Sequence, residues 1–153
     1  MEKKTTLIDY EAQIQYWVHR VSFMLRKEIH SRFLAAGLNF RAEEMALLMQ
    51  LWDEPGQTPS MLADKTIRDR TTVTRLLDGM VKKGLVEREV DPDDRRRVIV
   101  KPTSNSVKLQ ATIVPIVLGL IQDSMTGISE VEVENARNVL RKLAENLQAM
   151  RIL

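Results

Sequence analysis

Hydroxyl and guanidinium side chains lie on one side of a helix predicted over residues 70–83. Its apolar residues follow the i, i+3, i+4, i+7 spacing of a buried stripe, namely Val73, Leu76, Leu77 and Met80. The polar residues that fall mostly on the opposite face are Arg70, Thr71, Thr74, Arg75 and Lys82. Guanidinium and hydroxyl groups can read base edges and cations bind phosphates, so this face suits a DNA major groove. A solvated, charged helix face would show the same pattern.

Three consecutive arginines, Arg95, Arg96 and Arg97, follow a turn-forming DPDD sequence. On either side, LVEREV (residues 85–90) and residues 98–100 followed by Lys101 combine apolar and charged side chains and predict two short, half-buried strands. Adjacent like charges repel each other, and phosphates or a narrow minor groove would neutralise them. The alternatives are a solvated loop balanced in part by its own aspartates, or an acidic protein surface as the partner.

A second, shorter helix is predicted directly before residues 70–83. Thr58 and Pro59 have the chemistry of a helix start, and Leu62, Ala63 and Ile67 would form its apolar face. Asp69 is placed to cap the following helix, and Gly84 to end it in a left-handed conformation. The segment therefore predicts a helix-turn-helix followed by a two-stranded wing.

This segment resembles the winged helix-turn-helix of the MarR family of bacterial transcriptional regulators. The resemblance rests on TVTRLLDGMVKKGLVER, residues 72–88, and on DDRRRVIVKPT, residues 93–103. It implies that Asp94 braces the wing while Arg96 enters the minor groove. The chain departs from the family pattern at Pro102, where Leu is usual, and lacks the usual glycine after Thr103. The residues predicted to contact DNA are Arg70, Thr71, Thr72, Thr74, Arg75 and Lys82 on the helix, and Arg95, Arg96 and Arg97 on the wing.

The composition restricts the functions that the chain can have. Its 153 residues are 44% hydrophobic, 29% charged and 5% aromatic, with a net charge of only +2. Basic residues are nonetheless in excess between Lys65 and Lys101, with eleven Lys and Arg against seven Asp and Glu. With no cysteine, two histidines and no phosphate-binding loop or nucleophile motif, we expect neither an enzyme nor a cofactor or metal site. No signal peptide and no stretch approaching a membrane span are expected, so the predicted location is cytoplasmic.

The remaining chain predicts long amphipathic helices on both sides of this module. Helices are expected over residues 9–36, 41–52 and 104–125, the last kinked near Pro115 and buried on several sides. Ser129 and Glu132 form a capping box for a final helix. The predicted fold is mainly α with a small two- to three-stranded β-wing. Residues 38–103 would form the winged helix-turn-helix, and residues 1–37 and 104–153 a helical dimerisation region.

The function predicted from these features is a sequence-specific DNA-binding regulator, expected to repress as a homodimer on a pseudo-palindromic operator. A monomer with an intramolecular bundle, or a winged helix that binds an acidic protein surface, is the alternative. The resemblance further implies release by a small lipophilic or phenolic effector. Its pocket would be lined by Trp17, Met24, Met45, Met49 and Trp52, although residues at this spacing are also what a simple core requires. The expected partners are double-stranded DNA, a second copy of the chain and that effector.

Overall fold

The computed structural model describes residues 8–150, which form six helices and one two-stranded antiparallel sheet. This confirms the predicted class, mainly α with a small β-wing. The elements in chain order are α1 (Ile14–Ala35), α2 (Ala42–Asp53), α3 (Pro59–Lys65), α4 (Arg70–Lys82), β1 (Val86–Val90), β2 (Val98–Pro102), α5 (Ser104–Ser124) and α6 (Glu130–Ala149). Contacts divide the chain into two compact units, one ending at Val117 and the other beginning at Leu118.

The core of the first unit forms where α2, α3 and α4 meet the sheet. Its side chains are almost completely removed from solvent, and the largest are Phe33, Leu47, Leu48, Leu51, Leu62, Leu77 and Met80. Val73, Leu77 and Met80 are the buried residues of α4, as their spacing predicts. Burying one such side chain contributes roughly 1.5–3 kcal/mol, so the apolar stripe fixes which face of α4 remains outside.

The wing is a hairpin in which Val86 pairs with Pro102 and Val90 with Val98. A third segment joins it, because the N–H of Val100 donates to the carbonyl of Gln57 at 2.8 Å. Both Ile99 and Val100 are buried, although neighbouring strand residues point to opposite faces. The loop before α3 therefore covers the far side of β2 and holds the wing against the helices.

Local capping signals are borne out at three helix starts. The hydroxyl of Thr58 accepts a hydrogen bond from the N–H of Met61 at 3.2 Å, and Asp69 accepts from the N–H of Thr72 at 2.7 Å. Ser129 and Glu132 form the expected capping box at the start of α6. Each of these side chains supplies an acceptor to a first-turn N–H that no helical carbonyl can reach.

Two expectations about element boundaries are wrong. Helix α1 begins at Ile14 rather than near residue 9, because the N–H of Gln13 donates to the carbonyl of Tyr10 in a turn and no side chain caps an earlier start. Ile67 does not belong to the apolar face of α3. It follows the helix with a φ of +53° and leaves 73% of its surface exposed. A left-handed backbone costs an L-residue about 1–2 kcal/mol.

Helix α5 also differs from expectation. It runs through Pro115 as one helix, but within a single chain it is not buried on several sides. Val107, Val114, Leu118 and Ile121 are exposed, and Ile113 and Leu120 are buried. Among residues 8–150 it is the one helix with the length and composition of a membrane span, so the prediction that no stretch approaches one is wrong. The exposed apolar residues of α5 and its membrane-like composition have one cause: aliphatic side chains occupy more than one face of the helix.

Candidate nucleic-acid interface

Helices α3 and α4 present one exposed surface, the outer face of α4. Thr71, Thr74 and Arg75 are exposed there, on the side opposite to the buried residues Val73 and Leu77. The buried stripe fixes the rotation of α4 about its own axis, so the exposed set cannot turn inward without opening the core. The structure thus brings five of the six predicted helix residues together on one face, and Thr72 lies beside it, half-buried.

Two threonines of α4, Thr72 and Thr74, use their hydroxyl protons in hydrogen bonds at the start of the helix. The hydroxyl of Thr72 donates to Oδ2 of Asp69 at 2.6 Å, and that of Thr74 donates to the carbonyl of Arg70 at 2.9 Å. Each oxygen retains lone pairs, so both can act only as acceptors toward a ligand. Acceptors in a major groove match the amino groups of adenine and cytosine.

Asp69 is held in its ionised form by these contacts. The hydrogen bonds from the hydroxyl and the backbone N–H of Thr72 place the pKa of Asp69 below its ordinary value. The carboxylate also lies at the N-terminus of α4, where the helix dipole favours a negative charge. The start of α4 is therefore fixed by a single side chain.

Four cationic side chains of the surface have no acidic partner. Arg70, Arg75, Lys82 and Arg95 form no ion pair with any residue within 8–150. The one acidic residue on the outer side of α4, Asp78, is neutralised by Nη1 of Arg88 at 2.7 Å. The surface consequently offers unpaired positive charge, which an anionic polymer can neutralise.

The arginine tip is organised by two aspartates. Oδ1 of Asp94 accepts from the backbone N–H of Arg96 at 3.0 Å and from its Nε at 3.3 Å, and these bonds lower the pKa of Asp94. Asp91 lies 3.6 Å from Nε of Arg97. The side chain of Arg96 is nevertheless 91% exposed. Asp94 therefore shapes the backbone of the tip while the Arg96 guanidinium remains extended into solvent.

Sequence reasoning missed two residues that position this surface. Glu44 is 6% exposed, and both of its carboxylate oxygens accept from Nζ of Lys83 at 2.8 Å. The pair joins the first turn of α2 to the residue that ends α4. Glu44 and Lys83 are 39 positions apart, so no local pattern could reveal the contact.

Thr103 is the second missed residue, and it lies between β2 and α5. Its hydroxyl donates to the carbonyl of Gly84 at 2.6 Å, and its N–H donates to the carbonyl of Leu85 at 3.1 Å. The same hydroxyl oxygen accepts from the N–H of Ser106 at 3.2 Å. One side chain thereby connects the end of α4 with the start of α5.

Comparison with known proteins identifies this arrangement. Residues 40–98, which contain α2 to α4 and the wing tip, match the MarR family. This region belongs to the MarR family. The chain is 29% identical over 100 residues to the transcriptional regulator HosA of Escherichia coli O111:H-. This alignment spans 65% of the present chain and 74% of HosA. The part of the chain predicted to be a winged helix-turn-helix therefore carries the MarR match, and HosA, which it resembles, is a transcriptional regulator.

Solved structures agree with the MarR fold over nearly the whole chain. The transcriptional regulator PA3341 superposes with a TM-score of 0.78 at 28% identity and covers 90% of this chain and 99% of its own. A mutant MarR from Escherichia coli, complexed with operator DNA, superposes with a TM-score of 0.82 at 24% identity over 91% of this chain and 99% of its own. Both carry the winged-helix architecture described above.

The residues predicted to line an effector pocket differ in their exposure within the single chain. Met45 is buried, Trp52 is half-buried, and Trp17, Met24 and Met49 are exposed. A cavity of about 340 Å³ instead lies between α1 and the start of α2, where none of these five side chains lines it. Its polar lining includes Arg26, Lys27, His30, Arg41 and Glu43. The indole N–H of Trp52 is buried and has no acceptor among the described residues.

Proposed function

We propose that the chain regulates transcription by binding double-stranded DNA in a sequence-specific manner, with α4 in the major groove. The observation that carries this proposal is the outer face of α4. It combines exposed arginines without acidic partners and threonine oxygens restricted to accepting hydrogen bonds, on a helix whose rotation is fixed by a buried stripe. A helix face that only contacts water would not require arginines without acidic partners on a helix of fixed rotation.

The roles of the individual residues follow from their positions. Those on α4 that would read or orient the bases are Arg70, Thr71, Thr72, Thr74 and Arg75, with Lys82 on a phosphate. The wing would contact the neighbouring minor groove through Arg95, Arg96 and Arg97, because an exposed guanidinium is attracted to a narrow A·T-rich groove. Asp94 would brace the wing through its two hydrogen bonds to Arg96.

The functional species is a homodimer in this proposal. Exposed aliphatic side chains on α5 and α6 support it, among them Val114, Leu118, Ile121, Val139 and Leu140. A second copy would cover them through residues 1–37 and 104–153, leaving residues 38–103 to contact DNA. A two-fold axis would place two α4 helices on half-sites about 34–36 Å apart, which suits a pseudo-palindromic operator.

We further propose that the protein is a cytoplasmic repressor released by a small phenolic or lipophilic effector. The buried indole N–H of Trp52 supports this, because an unpaired buried donor is costly and a phenolic oxygen would accept its hydrogen bond. Trp17, Met24, Met45 and Met49 would supply apolar contacts. A promoter fusion measured with and without the gene tests the direction of regulation, since loss of the protein should raise the output of a repressed promoter.

Binding to two duplexes of equal length tests the central proposal. One duplex carries the sequence upstream of the chain's own gene, the other a scrambled version, and the Kd is measured at two salt concentrations. A difference on the order of 10³-fold that persists at the higher salt supports sequence-specific regulation. Equal and strongly salt-dependent binding to both would argue against specific recognition and for an acidic partner of another kind.

A further inference from the structure

Ile67 occupies a backbone conformation that its side chain disfavours. It is the one non-glycine residue with positive φ within residues 8–150, and it lies in the turn between α3 and α4. The turn is closed by two hydrogen bonds, from the N–H of Ile67 to the carbonyl of Asp64 at 3.2 Å and from that of Arg68 to the carbonyl of Ala63 at 2.9 Å. This pair of bonds requires the left-handed conformation at residue 67.

The same turn occurs twice more within residues 8–150, and glycine fills it both times. Gly37 after α1 and Gly84 after α4 make the equivalent pair of backbone hydrogen bonds, with φ of +73° and +67°. Glycine adopts this conformation without steric cost, whereas a β-branched residue is the poorest choice. The turn at residue 67 therefore has the geometry of the other two turns, with isoleucine in place of their glycine.

Burial does not explain the isoleucine. Its side chain is 73% exposed, so it gains little from the hydrophobic effect while it retains the backbone cost. It lies two residues before Asp69, the cap of α4, and thus at the same end of α4 as Arg70 and Thr71. In helix-turn-helix proteins this end of the second helix is the one that meets the base edges.

We propose that Ile67 is a DNA-contact residue that packs its aliphatic side chain against apolar surface of the operator, either a thymine C5-methyl group or a deoxyribose face. The contact extends the recognition surface by one residue in front of α4. The inference rests on the proposed function, since it places the turn beside the major groove. It also accounts for a residue whose conformation opposes stability, because the side chain contributes only when DNA is bound.

Replacement of Ile67 by glycine separates binding from stability. Ile67→Gly should raise the Tm by about 2–4 °C, because it relieves the left-handed strain. It should weaken binding to the specific operator about tenfold. Random DNA should be unaffected if the contact is a thymine methyl group and weakened as well if it is a deoxyribose face. A purely structural role predicts the opposite for binding, namely unchanged or tighter affinity in the more stable variant.

Gly37→Ile is the matched control. It places the same side chain in the same left-handed turn after α1, where an added Cβ meets nothing within 4 Å. It should lower the Tm and leave the operator Kd unchanged, which calibrates the strain alone. If Ile67→Gly binds the operator as tightly as the unmodified protein, the contact does not exist.

Modified operators distinguish the two DNA surfaces. Each thymine of a half-site is replaced in turn by deoxyuracil, which removes only the methyl group. A methyl contact predicts a loss of about fourfold at one thymine for the unmodified protein and none for Ile67→Gly. A uniform lack of effect, together with the weaker binding of Ile67→Gly, assigns the deoxyribose face instead. If the unmodified protein shows no preference for any operator, the proposed function itself fails and the contact fails with it.

Discussion

Nζ of Lys83 lies 2.8 Å from both carboxylate oxygens of Glu44, and this ion pair joins the beginning of α2 to the end of α4. Nζ also donates to the carbonyl of Asn39 at 3.0 Å, in the connection between α1 and α2. The remaining hydrogen bond of Glu44 comes from the backbone N–H of Arg41 at 2.9 Å. The carboxylate is thus fully satisfied although almost no solvent reaches it.

Lys83→Met should destabilise the protein by about 2–3 kcal/mol, because it leaves the Glu44 carboxylate buried without its cation. Lys83 itself is one-third exposed, which keeps the loss below that of a completely buried pair. Denaturant unfolding followed by circular dichroism measures the change. The double variant Glu44→Gln/Lys83→Met is the control and should recover part of the stability. Equal stability of Lys83→Met and the unmodified protein would show that the pair contributes nothing.

Arg75→Ala should weaken binding to the specific operator by roughly 5–150-fold and random DNA much less, as expected for a guanidinium that reads a base. The matched control is Arg137→Ala on α6, which removes the same charge from a side chain that is paired with Glu134. Fluorescence anisotropy at fixed salt measures the Kd of the variant relative to that of the unmodified protein, once on the operator duplex and once on random DNA. An equal loss on both duplexes would make Arg75 a phosphate contact.

Arg96→Ala should lower affinity only for operators whose flanks are rich in A·T pairs, because a narrow minor groove attracts an inserted guanidinium. Asp94→Asn weakens the acceptor that shapes the tip and should produce a smaller loss on the same DNA. Operators with G·C flanks serve as the control. The minor-groove role is excluded if Arg96→Ala loses as much on G·C flanks as on A·T flanks.

Leu118→Glu should convert the proposed dimer into monomers and abolish cooperative binding to a two-half-site operator, since burying an ionised carboxylate in an apolar interface is costly. Val90→Glu on β1 is a close control, because both residues are 58% exposed in the single chain. Sedimentation velocity gives the mass of each variant. A dimeric Leu118→Glu would remove this part of α5 from the interface.

Acid should destabilise the start of α4. Hydrogen bonds from Thr72 hold the pKa of Asp69 below its ordinary value, so the ionised form stabilises the folded state above the unfolded-chain pKa of about 3.9. That contribution is lost as the pH falls through the lower pKa of the folded state. The Tm should therefore fall between about pH 5 and pH 2. Asp69→Asn keeps a good capping residue without the titration and should show a shallower decline.

The wing and the helix ends could be predicted because their determinants are local. Thr58 and Pro59, Asp69, and the box of Ser129 with Glu132 act on backbone groups within three residues, and each is visible in the sequence. The apolar and charged residues around the arginine tip likewise predicted two strands, although the burial of β1 and β2 does not alternate from residue to residue. The MarR resemblance then supplied the arrangement of these elements.

What could not be predicted depends on residues that are distant in the chain or on partners outside it. The Glu44–Lys83 pair spans 39 positions, and no spacing rule reaches that far. Periodicity gave the wrong position for Ile67. Its spacing from Leu62 and Ala63 is that of a helix face, but the helix has ended before residue 67, which has a left-handed backbone. The exposed apolar side chains of α5 show that a high apolar content does not predict which surface packs against a helix.

Thr103 forms a hydrogen-bonded connection between the end of α4 and the start of α5. Its hydroxyl donates to the carbonyl of Gly84, just after α4, and accepts from the N–H of Ser106 in the first turn of α5, so one side chain links the ends of the two helices. We therefore expect a change in the position of α5 to reach the end of α4 through Thr103. A molecule that altered the angle of α5 would change the reading of DNA without touching any residue that contacts it.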